Sequence, residues 1–228
     1  MTTDGESRNL LDAAEAARTA ARQARPRVWL PVMILGVIVA LAMPLYIRLP
    51  FGQWARFQQP PGVLQGFSQL EHPAWAVSYW LIALPLAYAA IAWYLVSRSN
   101  RRGVRINTSG IVGAGAVLFL LLVTVTMIVP QVFRQILPGN LTGRGLLPLL
   151  VISVGLLIWA VMLRRLSLAI VGVAALTASL ISNLYNLDNP LRAAGLPMSS
   201  EYGLVVNVAL TAVVLLAGAA VLAVSERN

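Results

Sequence analysis

Six long apolar segments constrain this chain more than any other feature. Each is 18 to 21 residues long and contains no Asp, Glu, Arg, Lys or His. An α-helix rises about 1.5 Å per residue, so about 20 apolar residues cross the roughly 30 Å of a bilayer's hydrocarbon core. The sequence therefore predicts six transmembrane helices, at 28–47, 76–96, 111–129, 146–163, 166–184 and 204–224.

The composition agrees with a membrane protein and excludes a soluble one. Of the 228 residues, 58% are hydrophobic and only 11% are charged, whereas about a quarter of a soluble domain is charged. We therefore predict an all-α, polytopic membrane protein with no separate soluble domain. Its parts are a short N-terminal amphipathic helix at 1–27, a six-span transmembrane domain at 28–224 and a tail at 225–228.

The distribution of arginine predicts the orientation. All 17 basic residues are Arg, and 12 of them lie on the side of the spans that holds both termini. Because positive flanks stay in the cytoplasm, both termini and the tail are predicted to be cytoplasmic. Aromatic residues near span ends, such as Tyr46 and Trp80 at the outer boundary, fit an interfacial belt. The net charge of +9 is thus an orientation signal in a bacterial plasma membrane, and no nucleic-acid partner is expected. An alternative treats the first span as a signal peptide cleaved after Ala42.

Two basic segments on the predicted cytoplasmic side are candidate contact sites. Residues 7–25 read as a helix with a charged stripe opposite an Ala-rich face. The loop after the second span is densely basic. Either segment could bind anionic lipid headgroups, another membrane protein or an acidic cytoplasmic partner. Alternatively, its arginines could only fix the orientation of the spans in the membrane. The candidate contacts are Arg18, Arg22, Arg25, Arg98, Arg101, Arg102 and Arg105.

The longest predicted outer loop, 48–75, is aromatic. Phe51, Trp54 and Phe57 recur every three residues, which is compatible with a re-entrant segment or with a cap over the helix ends. The single histidine, His72, has only Glu71 beside it, so the pair is interpreted as an isolated surface pair. After the fifth span, 183–189 gathers side-chain oxygens, which we interpret as a helix-end turn rather than a cation site.

Recognisable catalytic chemistry is missing from the sequence. The spans contain no ionisable residue of the kind that proton relays use, and the chain has no cysteine, no phosphate-binding glycine loop and no clustered histidines. We therefore expect neither an enzyme nor a cofactor or metal. The polar residues inside the spans are interpreted as contacts between helices; they include Thr124, Thr126, Ser153, Ser182 and Asn207.

Two local motifs carry a family resemblance. The charged leader Ala20-Ala21-Arg22-Gln23-Ala24-Arg25-Pro26-Arg27 runs into the first span, and the second span ends in Trp93-Tyr94 before the cluster 98–105. This arrangement in the first half of the chain resembles a group of uncharacterised actinobacterial six-helix integral membrane proteins. The resemblance implies a location in the membrane and no particular activity.

Two functions remain open at this point. The first is a non-catalytic accessory or partner-binding membrane subunit, whose basic inner face docks another protein. The alternative is the transmembrane permease subunit of an exporter that works with a separate ATPase, since such permeases also have six helices and cytoplasmic termini. Their larger extracellular segment commonly lies between the last two spans, whereas the long loop here follows the first span.

Overall fold

The computed structural model describes residues 13, 27–49, 67, 69–100, 144–196 and 199–227, with the backbone alone for 98–100. These residues are helical apart from turns and a single bridge between Arg48 and Leu70. The α-helices are α1 (Trp29–Ala42), α2 (Pro73–Asn100), α3 (Leu147–Leu163), α4 (Leu166–Leu184), α5 (Asp188–Ala193) and α6 (Gly203–Ser225), with 3₁₀ turns at Met43–Tyr46 and Ser200–Tyr202.

Four of the described helical segments are long and apolar enough to cross a membrane. They are Trp29–Tyr46, Pro73–Ser97, Leu166–Leu184 and Ser200–Ser225, and α3 is an apolar helix of 17 residues. The all-helical membrane fold expected from the sequence is therefore confirmed at this level, and the five predicted segments that can be compared agree with helix ends within four residues. The predicted span 111–129 lies outside the described residues, and of the predicted amphipathic helix at 1–27 only Ala13 and Arg27 are described.

Prolines and a very tight turn define several helix ends. Pro31 and Pro148 occupy first turns, where a proline's missing N–H is not needed. Arg164 ends α3 with φ of 50°, a left-handed conformation, and α4 begins two residues later. This short connection makes α3 and α4 antiparallel neighbours, as the sequence predicted.

The five long helices pack side by side in the order α3, α4, α6, α1, α2. Glycines allow close approach at three of these contacts: Gly172 of α4 faces Leu157, Gly218 of α6 faces Val171, and Gly36 of α1 faces Leu216. A Cβ at these positions would lie 2.6 to 2.9 Å from the nearest side-chain atom of its neighbour. Small residues therefore set the helix spacing, as is common where lipid surrounds the helices.

The helix row has two ends with different polar contacts. The start of α1, the α3–α4 turn and the end of α6 meet around Glu226, and this is called the Glu226 end. The end of α1 and the starts of α2, α3 and α6 lie with α5 at the opposite, Asp188 end. Helices that are neighbours in the row run antiparallel, as α1 and α2 illustrate: Glu71 N donates to Ile47 O before α2, and Tyr79 Oη donates to Ile38 O further along it.

Two aromatic residues expected at the membrane surface are buried at the Asp188 end. Trp80 Nε1 donates to Tyr46 Oη at 2.8 Å, and Tyr46 Oη donates to Gly145 O at 2.7 Å. Trp80 is 3% exposed and Tyr46 is fully buried. These side chains therefore join α1 and α2 to the residues that precede α3, because a buried indole N–H and a buried phenol need partners.

Candidate functional site

A side-chain amide at the Asp188 end binds the end of a neighbouring helix. Asn207 of α6 donates through Nδ2 to Ser182 O at 2.7 Å and to Tyr185 O at 3.0 Å, and its Oδ1 accepts from Leu187 N. The last carbonyls of an α-helix have no partner within the helix. Asn207 therefore satisfies the carboxyl end of α4, which explains why an amide lies fully buried in an apolar helix.

Arg144 satisfies the same helix end from a different direction. Its Nη1 donates to Tyr185 O at 2.8 Å and more weakly to Ser182 O at 3.4 Å. A cation near a helix carboxyl terminus also interacts favourably with the helix dipole. Arg144 is only 8% exposed, so this predicted outer-loop charge is in fact part of the helix packing.

A buried carboxylate balances the charge at this end. Asp188 is 5% exposed, its Oδ2 pairs with Arg192 Nη2 at 3.3 Å, and its carboxylate lies against Gly203, the first residue of α6. A helix amino terminus carries partial positive charge and favours an anion. Gly203 has no side chain, and a Cβ there would lie 3.0 Å from the Asp188 carboxylate.

The Asp188 carboxylate also affects the pKa of two further arginines. Burial lowers the pKa of Arg48 and of Arg144 from the ordinary arginine value, and the negative charge of Asp188 opposes the shift in both. Arg144 adds to the lowering of the pKa of Arg48, because the two positive charges repel. Asp188 therefore pairs directly with Arg192 and offsets part of the positive charge of Arg48 and Arg144; these three arginines are called the arginine cluster. The oxygens at 183–189 belong to a helix-end turn, since α4 ends at Leu184 and α5 begins at Asp188.

Hydroxyl groups join α3 to α4 inside the apolar region. Ser153 Oγ and Ser179 Oγ lie 2.9 Å apart, and both lie within hydrogen-bonding distance of Leu149 O, at 2.8 Å and 3.2 Å. Both serines are fully buried. The predicted role of Ser153, Ser182 and Asn207 in contacts between helices is thus confirmed, whereas Thr124 and Thr126 lie outside the described residues.

Glu226 links three parts of the chain at the other end. Its Oε1 accepts from Arg165 Nη1 at 2.9 Å and from Val28 N at 3.0 Å. The two charged side chains are only 20% and 17% exposed. This one carboxylate oxygen therefore connects the start of α1, the α3–α4 turn and the end of α6.

A cavity of about 280 Å³ opens beside this contact. Its lining combines two exposed arginines with a tryptophan and a glutamate. Glu226 Oε2 is buried and has no hydrogen-bond partner among the residues that the structure describes. The cavity is lined by Arg27, Trp29, Ala223, Glu226 and Arg227.

The structure describes only one of the predicted contact arginines, and only its backbone. Arg98 lies in the last turn of α2, whereas Arg18, Arg22, Arg25, Arg101, Arg102 and Arg105 lie outside the described residues. The structure adds three exposed arginines at the Glu226 end, called the basic surface: Arg27, Arg164 and Arg227. In the sequence each of these three lies within three residues of the end of a predicted span, but nothing in the sequence shows that they share one surface.

The single histidine of the chain lies close to a carboxylate. His72 Nε2 and Glu71 Oε1 are 3.9 Å apart with both side chains more than half exposed, as expected for an isolated surface pair. Within the described ranges no group of three or more His, Cys, Asp or Glu side chains could hold a metal ion.

Taken together, the apolar helices and their buried polar contacts are those of a helical membrane-embedded protein. Searches against protein-family models, curated proteins and solved structures find no match to the chain.

Proposed function

We propose that this chain is a non-catalytic, multi-pass accessory subunit of a bacterial plasma membrane, and that its basic cytoplasmic side docks an acidic partner surface. The observation that carries the proposal is the basic surface. Arg27, Arg164 and Arg227 come from three separate parts of the chain, are exposed, and lie at the same end of the helix row.

The charge of this end is only partly neutralised. Glu226 contacts Arg165, which leaves the three arginines of the basic surface without a salt bridge to any described residue. The predicted contacts Arg101, Arg102 and Arg105 follow α2 in the sequence, and we expect them to add to the charge of the same side. Clustered positive charge attracts acidic partners and anionic headgroups, and it increases the rate of association.

The helix directions support six spans with both termini in the cytoplasm. α2 is 28 residues long, or about 42 Å, and runs from the Asp188 end towards the Glu226 end. Arg144, which precedes α3, lies at the Asp188 end. Asn100 and Arg144 therefore lie towards opposite ends of the row, which is consistent with a sixth span at 111–129.

The polar groups within the helix row support a structural role. Ser153, Ser179, Ser182 and Asn207 all direct their hydrogen bonds to neighbouring helices or to their own helix. Such contacts hold helices in fixed positions in a lipid environment, where apolar surfaces give no specific orientation. A rigid helix row with a basic end is suited to presenting a docking surface.

The test is purification of the tagged full-length chain in a mild detergent, with identification of the chains that co-purify. We expect a stoichiometric partner that is retained at low salt and released at high salt, because screening weakens charge contacts. The double variant Arg164→Gln/Arg227→Gln, which removes two charges from the basic surface, should lose it. The matched control, Arg56→Gln/Arg134→Gln, removes two arginines from the predicted outer side and should keep it.

Two results would overturn the proposal. A stoichiometric ATPase would instead identify the chain as the permease subunit of an exporter. A chain that purifies alone at low salt, at normal yield, would contradict docking of any protein partner.

A further inference from the structure

We propose that the last two turns of α2, residues 94–100, project about 10 Å out of the membrane at the Glu226 end, and that they hold the basic segment after α2 within reach of an acidic protein surface and away from the lipid headgroups. These residues are called the α2 projection. Its position needs only that the helices cross a bilayer, whereas the choice of an acidic protein as partner rests on the proposed docking function.

The extra length of α2 lies at one end of the row. At the Asp188 end α1 and α2 are level, because Glu71 N donates to Ile47 O at 2.9 Å and Tyr79 Oη donates to Ile38 O at 2.6 Å. Ile38 lies nine residues after the first residue of α1, whereas α2 continues for 21 residues after Tyr79. Towards the Glu226 end α2 therefore extends about 12 residues, or about 18 Å, past the start of α1.

Two exposed tryptophans indicate where α2 leaves the lipid. Trp75 and Trp93 are 71% and 73% exposed. They are 18 residues apart in the sequence, which is about five helical turns, so they lie on the same face of α2 with about 27 Å between them. Tryptophan is enriched at both membrane interfaces, and the hydrocarbon core between the interfaces is about 30 Å thick. We therefore infer that the lipid contact of α2 runs from Trp75 to Trp93.

The residues between the two tryptophans fit contact with acyl chains. Residues 76–92 contain no charged side chain, and the first charged residue after Trp93 is Arg98, in the last turn of α2. The large apolar side chains that are exposed on this stretch are Leu81, Ile82 and Leu86.

A strongly tilted α2 fits these observations less well. A helix of about 42 Å lies wholly within about 30 Å of hydrocarbon only at a tilt of about 45°, whereas membrane helices tilt by about 0–40°. Because α2 extends past α1, the same tilt would draw the start of α1 and the exposed Arg27 into the hydrocarbon. A charged side chain is costly at that depth.

Distance from the headgroups favours a protein as the partner of the basic segment. The chain leaves α2 at Asn100, about 10 Å beyond Trp93. The potential of anionic headgroups falls off over about 8 Å at physiological ionic strength, so about a third of it remains at Asn100. Residues 101–143 contain no Asp or Glu, so this stretch supplies no negative charge of its own. The predicted contacts that follow Asn100 are Arg101, Arg102 and Arg105. An acidic protein surface, which approaches from the water, is the partner that fits them.

The position of the α2 projection is tested with spin labels on the full-length chain in nanodiscs. Because the chain has no cysteine, a single label is attached at Ser97→Cys in the α2 projection or, as the matched control, at Ala90→Cys, an exposed position between the two tryptophans. We expect the label at Ser97→Cys to collide more with a water-soluble nickel complex than with oxygen, which concentrates in the hydrocarbon. The label at Ala90→Cys should show the reverse. A preference for oxygen at both positions would mean that α2 is tilted into the bilayer, and the projection would be wrong.

The choice of partner is tested with Arg101→Gln/Arg102→Gln. This variant should release the co-purifying chain at a lower salt concentration than the unmodified chain does. In nanodiscs that contain equal amounts of phosphatidylcholine and phosphatidylglycerol, it should retain as much phosphatidylglycerol as the unmodified chain, measured by mass spectrometry of the lipids that co-purify. Lower retention of phosphatidylglycerol would place the segment on the headgroups and overturn the choice of a protein. Arg56→Gln/Arg134→Gln is the control and should change neither result.

The failure of this inference is distinguishable from that of the proposed function. If Arg164→Gln/Arg227→Gln releases the partner and Arg101→Gln/Arg102→Gln does not, docking stands and the α2 projection takes no part in it. A chain that purifies alone overturns docking and, with it, the choice of partner. In that case the label at Ser97→Cys still decides whether α2 projects from the membrane.

Discussion

Ser182 and Asn207 each donate a hydrogen bond to the other's backbone carbonyl. Ser182 Oγ lies 2.8 Å from Asn207 O, and Asn207 Nδ2 lies 2.7 Å from Ser182 O. The pair joins the last turn of α4 to the first two turns of α6. Because both residues are fully buried, neither bond competes with water.

We expect Asn207→Leu to lower the free energy of unfolding by about 1–3 kcal/mol, because it leaves two carbonyls and one amide N–H without this partner. Ser182→Ala removes a single donor and should have an effect of about 1 kcal/mol or less. Unfolding by denaturing detergent, followed by tryptophan fluorescence, measures both. If Asn207→Leu is no more destabilising than Ser182→Ala, the amide does not satisfy the end of α4.

Close approach between α6 and α4 depends on Gly218. A Cβ at this position would lie 2.6 Å from Val171 Cγ1, so Gly218→Ala should lower the free energy of unfolding by about 1–3 kcal/mol through overpacking. Gly155 is the matched control, because a Cβ there has nothing within 4 Å. Gly155→Ala should be neutral or stabilising, and equal effects of the two substitutions would contradict the close contact.

Asp188 should be far more important for stability than its partner Arg192. Asp188→Asn removes the negative charge that pairs with Arg192 and offsets the charge of the partly buried Arg48 and Arg144, and we expect a loss of about 2–4 kcal/mol. The side chain of Arg192 is 40% exposed, so Arg192→Gln should change the free energy of unfolding by less than about 1 kcal/mol. The same unfolding titration compares them. A larger effect for Arg192→Gln would show that Asp188 serves this one pair and not the arginine cluster.

The absence of cysteine from the sequence allows a direct test of orientation. Ser199→Cys and Ser225→Cys are conservative changes at exposed positions on opposite sides of α6. In intact spheroplasts a membrane-impermeant maleimide should label Ser199→Cys, and Ser225→Cys should react only after permeabilisation. The opposite pattern would reverse the proposed orientation, and labelling of both in intact spheroplasts would contradict α6 as a span.

The sequence was sufficient to predict where the five long described helices begin and end to within a few residues, because apolar runs of this length leave few alternatives in a membrane. The gap of two residues between the predicted spans 146–163 and 166–184 also implies the α3–α4 hairpin. It did not predict the row order, since the glycines that decide it, such as Gly36 and Gly218, contact residues far away in the chain. Helix neighbours in lipid depend on such local fits rather than on overall hydrophobicity.

The polar contacts were only partly predictable. Ser153, Ser182 and Asn207 were identified as helix contacts because a polar group inside a span needs a partner. The burial of Arg144 and Asp188 is not predictable from the sequence. Nothing in the sequence distinguishes a charged residue facing water from one that lies against a distant helix end. The same holds for Glu226, whose partners Val28 and Arg165 lie 198 and 61 residues away.

The position of α6 between α4 and α1 has a consequence for biogenesis. During synthesis the pairs α1–α2 and α3–α4 emerge as two antiparallel hairpins, each able to form its own contacts as soon as it leaves the ribosome. The main neighbour of α1 is α6, which is translated after the other long helices described. The two pairs are joined through the contacts that α6 makes with Gly36 and Val171. Among the described helices, the row is therefore complete only once α6 has been made.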